Sequence, residues 1–227
     1  MKGKTQIQKL RDYAELSWAS YGYFHLETSE NNPTFINVKD NKEQENEKEI
    51  SLTDILDITY KDYKVYIPSR LPTIPPEKVG TLKGDFSPTQ AKNFLKKYDI
   101  LIHQPNIESG FSATLFKDTK ADSKDSEYIL AIRGTEFKLD QIQDLLNDYY
   151  IGTNNNDMSR VVEQYFDMLF FYEETLKPLL QEKSIAKINV TGHSLGGYLT
   201  QLFALSYPSI VNEVYTYNAS LESKGVA

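Results

Sequence analysis

The stretch Asn189-Val190-Thr191-Gly192-His193-Ser194-Leu195-Gly196-Gly197 limits what this chain can fold into more than any other. Its centre, Gly192 to Gly196, reads Gly-x-Ser-x-Gly. Average residue usage produces that pattern by chance in about one chain in thirteen of this length, so the flanks must decide. They agree with each other. Ile185 to Val190 reads as a buried strand running into the motif, and Leu195 to Tyr207 as a helix leaving it. A serine on so sharp a strand-to-helix turn is strained, and side chains two residues to either side would collide across it. Gly192 and Gly196 remove those side chains, and Gly197 extends the small-residue run. The turn also aims the free amides of a helix start at one point, which makes the Leu195 amide the natural donor to an oxyanion.

Upstream, the spacing of Ile7, Leu10, Ala14, Leu16, Trp18 and Tyr21 predicts an amphipathic packing helix over 5–24. Residues 27–49 are dense in charge and read as a solvated insertion that does not order itself. Pro68, Pro72, Pro75 and Pro76 place a loop between residues 67 and 76, with a proline-motif ligand as the lesser reading. Ser87-Pro88 opens a short helix reaching Tyr98. Strands follow at 99–103 and 111–117, and Tyr128 to Ile132 is an apolar run suited to burial on both faces. A helix over 139–150, a loop at 154–156 and a long helix over 159–182 lead to the motif, and a last strand spans 211–217. Strand alternating with helix implies a mostly parallel sheet flanked by helices.

At 227 residues the chain is expected to form a single α/β domain, with an N-terminal helical and polar insertion region at 1–110 and a core at 111–227. The net charge of −7, without a basic cluster, argues against nucleic acid. No cysteine is present, which removes thiolate metal sites and a cysteine nucleophile; no metal and no cofactor is expected. Neither a Sec-type leader nor a span of roughly 20 apolar residues is found. The default expectation is a cytoplasmic protein, with leaderless export left open.

A second segment completes the pattern. The strand ending Ala131-Ile132-Arg133-Gly134-Thr135 is followed by Asp140-Gln141-Ile142-Gln143-Asp144-Leu145, and the Gly-His-Ser-Leu-Gly-Gly motif lies about sixty residues on. Together, over roughly 111–219, these segments resemble the class 3, or fungal-type, lipases of the α/β-hydrolase superfamily. The resemblance implies that Ser194 is the nucleophile and that Thr135 supplies backbone and side-chain donors to the oxyanion. It also implies that Asp144 steadies the Thr135 hydroxyl, and that Arg133 and His193 support the site from behind. Gln141 stands where members commonly carry tryptophan, a departure that touches packing. A lid is expected between Thr135 and Arg160. The implied activity is hydrolysis of carboxylic esters of acyl lipids through an acyl-enzyme, with an acyl ester or lipid as partner and peripheral contact with lipid surfaces.

The same resemblance exposes a gap. Triads of this superfamily run serine, acid, histidine, yet only 33 residues follow Ser194 and none is histidine. Glu213 and Glu222 are the acids after it, while His25 and His103 precede it and read better as core or surface residues than as a displaced base. The expectation is therefore a chain that stops after the nucleophile half. Two alternatives stand beside the enzyme: a catalytically inactive fragment, or a lipase-fold interaction protein. Such a stop would also leave Val211, Val214, Tyr215 and Tyr217 exposed along a free strand edge.

Overall fold

Thr5 starts the first helix by closing a capping box. Its hydroxyl accepts the Gln8 amide at 3.3 Å, and the Gln8 side chain accepts the Thr5 amide at 2.9 Å. The computed structural model describes residues 5–39, 44–121, 123–124, 127–134 and 155–219, with side chains from 161 onward in the last segment. Helix α1, Gln6–Ala19, is shorter than the spacing predicts because the Ser20 hydroxyl bonds the Ser17 carbonyl at 2.7 Å and Gly22 follows. Its buried face also differs from the predicted one. Asp12, Tyr13, Leu16, Ser17 and Ala19 are buried, whereas Ile7, Leu10 and Trp18 are exposed. The reason is the partner: α1 lies on a strand that offers Asn189 and Thr191, so hydroxyls and a phenol fit where an aliphatic stripe would not.

The backbone divides into two compact units, 21–99 and 1–20 with 100–227. The first unit holds strands β1 Phe35–Lys39, β2 Glu45–Glu49, β3 Lys64–Ile67 and β4 Glu77–Thr81, antiparallel in the order β2-β1-β3-β4, with helices α2 Leu52–Leu56 and α3 Pro88–Leu95. The solvated-insertion reading of 27–49 is corrected here. β1 buries Phe35 and Ile36, and β2 pairs with it through the backbone while Glu45, Glu47 and Glu49 stay in water and Lys48 turns in to Asp54. A charged outer strand of this kind also discourages pairing with other chains. Between β3 and β4 the prolines do not form an extended ligand: the Ile74 amide bonds the Leu71 carbonyl at 3.1 Å, closing a turn through Pro72. Ser87 caps α3 and Pro88 is its first residue, as predicted.

The second unit is built on the sheet β5 Tyr98–Gln104, β6 Ala113–Asp118, β7 Tyr128–Ile132, β8 Ile188–His193 and β9 Val211–Tyr217, in that order. β7, β8 and β9 are parallel, as the alternation implies, whereas β6 runs antiparallel to β7. Leu115, Leu130 and Val190 form a row on one face, covered by helices α4 Asn155–Phe171, α5 Lys177–Glu182 and α6 Leu195–Ser206. Thr114, Ala131 and Thr191 form the next row on the opposite face, the one α1 covers at β8. Both faces of the central strands are thus buried.

The predicted helix over 159–182 is present and runs on to Glu182, with one π turn, Tyr172–Leu176, just before Pro178, whose ring cannot accommodate the carbonyl four residues back. Two element predictions need correction. Asn155 and Asn156, read as loop, already belong to α4. On β9, Val214 is exposed but Tyr215 is buried, stacked on Tyr13 of α1 at 3.9 Å between ring centres. The helix predicted at 139–150 and the lid segment up to 154 lie outside the described residues. No described helix is long and apolar enough to cross a membrane.

Candidate active site

β8 delivers its last residues to the end of the sheet where β7 and β9 also terminate. Ser194 then turns the chain with φ 54° and ψ −129°, and α6 starts at Leu195. The turn is held on both sides. The Ser194 amide donates to the Tyr217 carbonyl of β9 at 2.9 Å, and the Ser194 carbonyl accepts from the Gly197 and Tyr198 amides at 2.9 and 3.3 Å. The amides of Leu195 and Gly196 precede these and lie at the free, electropositive end of α6.

The glycines are required by contact. A Cβ on Gly192 would sit 2.3 Å from the Gly196 carbonyl oxygen, which is the collision across the turn that the sequence anticipates. A Cβ on Gly196 would sit 2.3 Å from the Ile132 carbonyl oxygen and 2.7 Å from the Gly134 nitrogen. Gly196 therefore lets the first turn of α6 close onto the exit of β7. Gly197 meets Ala219, beyond β9, where a Cβ would approach to 2.7 Å. Thr200 anchors the same turn by donating to the Gly196 carbonyl at 2.8 Å.

Arg133 and Gly134 thus stand against the elbow, and Arg133 is 1% exposed, with its amide bonded to the Ser112 carbonyl at 3.0 Å. Thr135 and Asp144 lie outside the described residues. Half-buried His193 pairs with Tyr217 in the ladder; strand alternation puts it on the α1 side with Asn189 and Thr191. Burial lowers its pKa, which favours neutral imidazole. His103 is not brought to the serine. It lies on β5 with its Nδ1 2.9 Å from the Thr114 hydroxyl of β6, and β5 is three strands from β8, a separation of about 14 Å at ordinary strand spacing.

Sequence reasoning missed the group that fixes β8 from below. The Asn189 amide donates to the Tyr13 hydroxyl at 2.5 Å, and its carbonyl accepts from Asn212 at 3.0 Å and the Glu213 amide at 3.1 Å. Thr191 and Ser17 share a hydrogen bond of 2.7 Å. Lys9 reaches Glu213 at 2.8 Å, and Tyr215 donates to the same carboxylate at 2.8 Å. The available signal was Asn189 and Thr191 themselves, polar residues alternating with Ile188 and Val190 in a strand buried on both faces.

Against known proteins, residues 129–216 match the sequence model of the family "Lipase (class 3)". Over 66 residues the chain is 36% identical to Protein ECM18 of Saccharomyces cerevisiae, an alignment covering 29% of this chain and 14% of that protein. Among solved structures, the Lip2 lipase of Yarrowia lipolytica is similar at 21% identity and TM-score 0.41, over 56% of this chain and 48% of that one. A triacylglycerol lipase whose catalytic centre is a serine-protease triad is similar at 15% identity and TM-score 0.44, over 91% of this chain and 57% of that one. The chain spans about half the length of these solved lipases.

Proposed function

We propose that this chain, which over residues 129–216 is of the class 3 lipase family, carries the nucleophile half of a serine hydrolase acting on carboxylic esters of acyl lipids. One observation carries the reading: a strained serine between a buried parallel strand and a helix start, with Gly196 admitting that helix start to the exit of β7. In this reading the Ser194 oxygen attacks the ester carbonyl carbon while its proton passes to an imidazole base. The carbonyl oxygen takes the negative charge and is stabilised by the Leu195 amide and by Thr135. Collapse of the tetrahedral species expels the alcohol, which takes the proton from the base, and water then cleaves the acyl-enzyme. Asp144 orients Thr135, and Arg133 packs beneath the same strand end.

The base is the part of this chemistry that the unit around Ser194 does not supply. His103 is engaged at Thr114 and His193 lies on the α1 side, which favours a second reading in which the lipase-type core binds without turnover. A fluorophosphonate reagent separates the two. Applied to the natural gene product, it should label Ser194, and Ser194→Ala should abolish both labelling and hydrolysis of a short acyl ester while leaving the fold intact. A natural gene product that hydrolyses acyl esters equally well as the alanine variant overturns the first reading; absence of both labelling and turnover supports the second.

A further inference from the structure

The β3–β4 hairpin of the unit 21–99 ends in a tip, 68–76, with an unusual combination of properties. Leu71 and Ile74, which close the turn, are 56% and 52% exposed, and every residue from 70 to 78 is exposed. Residues i and i+3 of such a turn are close neighbours, so the two side chains form one apolar pair on a convex point. The backbone beneath them is nearly free of unmet donors. Pro68, Pro72, Pro75 and Pro76 have no amide hydrogen. The Leu71 amide bonds the Ser69 hydroxyl at 3.2 Å, the Ile74 amide bonds the Leu71 carbonyl, and the Ser69 hydroxyl donates to that carbonyl at 3.0 Å. At most three tip amides, those of Ser69, Arg70 and Thr73, still need water. Inserting the apolar side chains therefore leaves few amides to desolvate while the tip's carbonyls stay in the hydrated headgroup layer, and four fixed proline angles leave little entropy to lose. The charge pattern names the medium. From 64 to 81 the hairpin carries Lys64, Arg70 and Lys78 against the single carboxylate of Glu77, in a chain whose net charge is −7.

We propose that this tip is a lipid-surface anchor, inserting Leu71 and Ile74 among acyl chains while Arg70 and Lys78 meet anionic headgroups. A convex apolar point with few free donors suits a deformable lipid layer better than strand addition or a proline-reading groove, which need free donors or an extended backbone. The proposal deepens the acyl-lipid reading of the active site and rests on it for its biological sense, but membrane binding requires no hydrolysis. The test is co-flotation of the 227-residue chain with phosphatidylcholine vesicles, with and without phosphatidylserine. The wild type should float, more strongly with phosphatidylserine. The double change Leu71→Ser and Ile74→Ser should cut the bound fraction about tenfold or more, with an unchanged melting curve because both positions are exposed. Arg70→Glu with Lys78→Glu should remove the phosphatidylserine preference. Ile74→Trp should show a blue-shifted emission on vesicle addition. Ser194→Ala should float like wild type, because membrane binding requires no hydrolysis; a natural gene product that floats but does not hydrolyse an acyl ester counts against the active-site reading alone. A wild type that stays in solution, or a Ser/Ser variant that floats as well as wild type, overturns the anchor.

Discussion

Ser194 occupies a backbone conformation that costs any residue with a Cβ about 1–3 kcal/mol, and it is held there by the hydrogen bond its amide donates and those its carbonyl accepts. Replacing it tests strain separately from chemistry. Ser194→Ala keeps the strain and Ser194→Gly releases it, less what glycine loses by its freer unfolded chain, so the glycine variant should be about 0.5–1 kcal/mol more stable than the alanine variant. Urea unfolding of the pair measures this; equal midpoints would mean the turn is not strained in solution. Gly196 works in the opposite sense. A methyl group there meets the Ile132 carbonyl and the Arg133–Gly134 peptide, backbone atoms that cannot swing aside. Gly196→Ala should therefore cost about 1–3 kcal/mol or more and, by displacing α6 from β7, weaken the site beyond its effect on stability. Urea midpoints and fluorophosphonate labelling of the natural gene product read the two effects, and an alanine variant that melts and labels like wild type would show that the two elements are not in contact.

Helix α1 shows how an element can be predicted in place and misjudged in orientation. Its place was legible from the spacing of its apolar residues, whereas its capping box at Thr5 and Gln8 was not read, and its buried face depended on Asn189 and Thr191, some 170 residues away, which no periodicity in 5–24 encodes. The long helix before the motif was legible from its periodicity through Glu182, and only the π turn ahead of Pro178 was not read. The contact between Ser17 and Thr191 gives a direct check. Thr191→Val strands the buried Ser17 hydroxyl and Ser17→Ala leaves the Thr191 hydroxyl only its 3.2 Å bond to the Tyr13 carbonyl, each at about 1–2 kcal/mol, whereas the double variant strands neither. A coupling energy of about 1 kcal/mol should appear in the double-mutant cycle; strict additivity would show that the hydroxyls do not meet. The Lys9–Glu213 pair ties the same helix to β9. Burial works to raise the Glu213 pKa, but the hydrogen bonds from Lys9 and Tyr215 outweigh it and the net shift is downward. A carboxylate depressed in the folded state contributes its stability above the unfolded pKa and loses it as pH falls through the folded value. Acidification below the ordinary glutamate range near 4.3 should thus destabilise the wild type more than Glu213→Gln, as read from melting temperatures at pH 7 and pH 3.

At the scale of the molecule, the elbow core was legible because β8, α6 and β9 follow one another in sequence around the Gly-x-Ser-x-Gly motif, with the apolar run of β7 upstream. The unit 21–99 was not, because β2 is stabilised by a neighbour it pairs with and displays only charge to a reader of residues. Chemistry and association of the 227-residue polypeptide can be predicted from the same features. Among the described residues of its unit neither His103, bonded at Thr114, nor His193, on the α1 side of β8, is set at the Ser194 oxygen, and a serine hydroxyl without an imidazole partner is a weak nucleophile. An oxyanion site and binding pocket acting alone leave only about 10³- to 10⁴-fold acceleration over water, which is lost in assay background. Among the described residues β9 pairs on one side only, with β8. Its outer edge is blunted where Tyr215 packs on Tyr13 and Glu213 meets Lys9, but Val214 and Thr216 remain exposed. A seven-residue strand paired on one side only, with a partly protected edge, invites association at high concentration. Expressed alone, residues 1–227 should show no hydrolysis of a chromogenic butyrate ester above the Ser194→Ala background. On gel filtration the apparent mass should rise with loading, and Val214→Lys should suppress that rise by charging the edge. A polypeptide that elutes as a monomer at every loading would remove β9 as an association edge. Turnover that disappears in Ser194→Ala would mean a base is already within reach, and His103→Ala would be the next variant to assay.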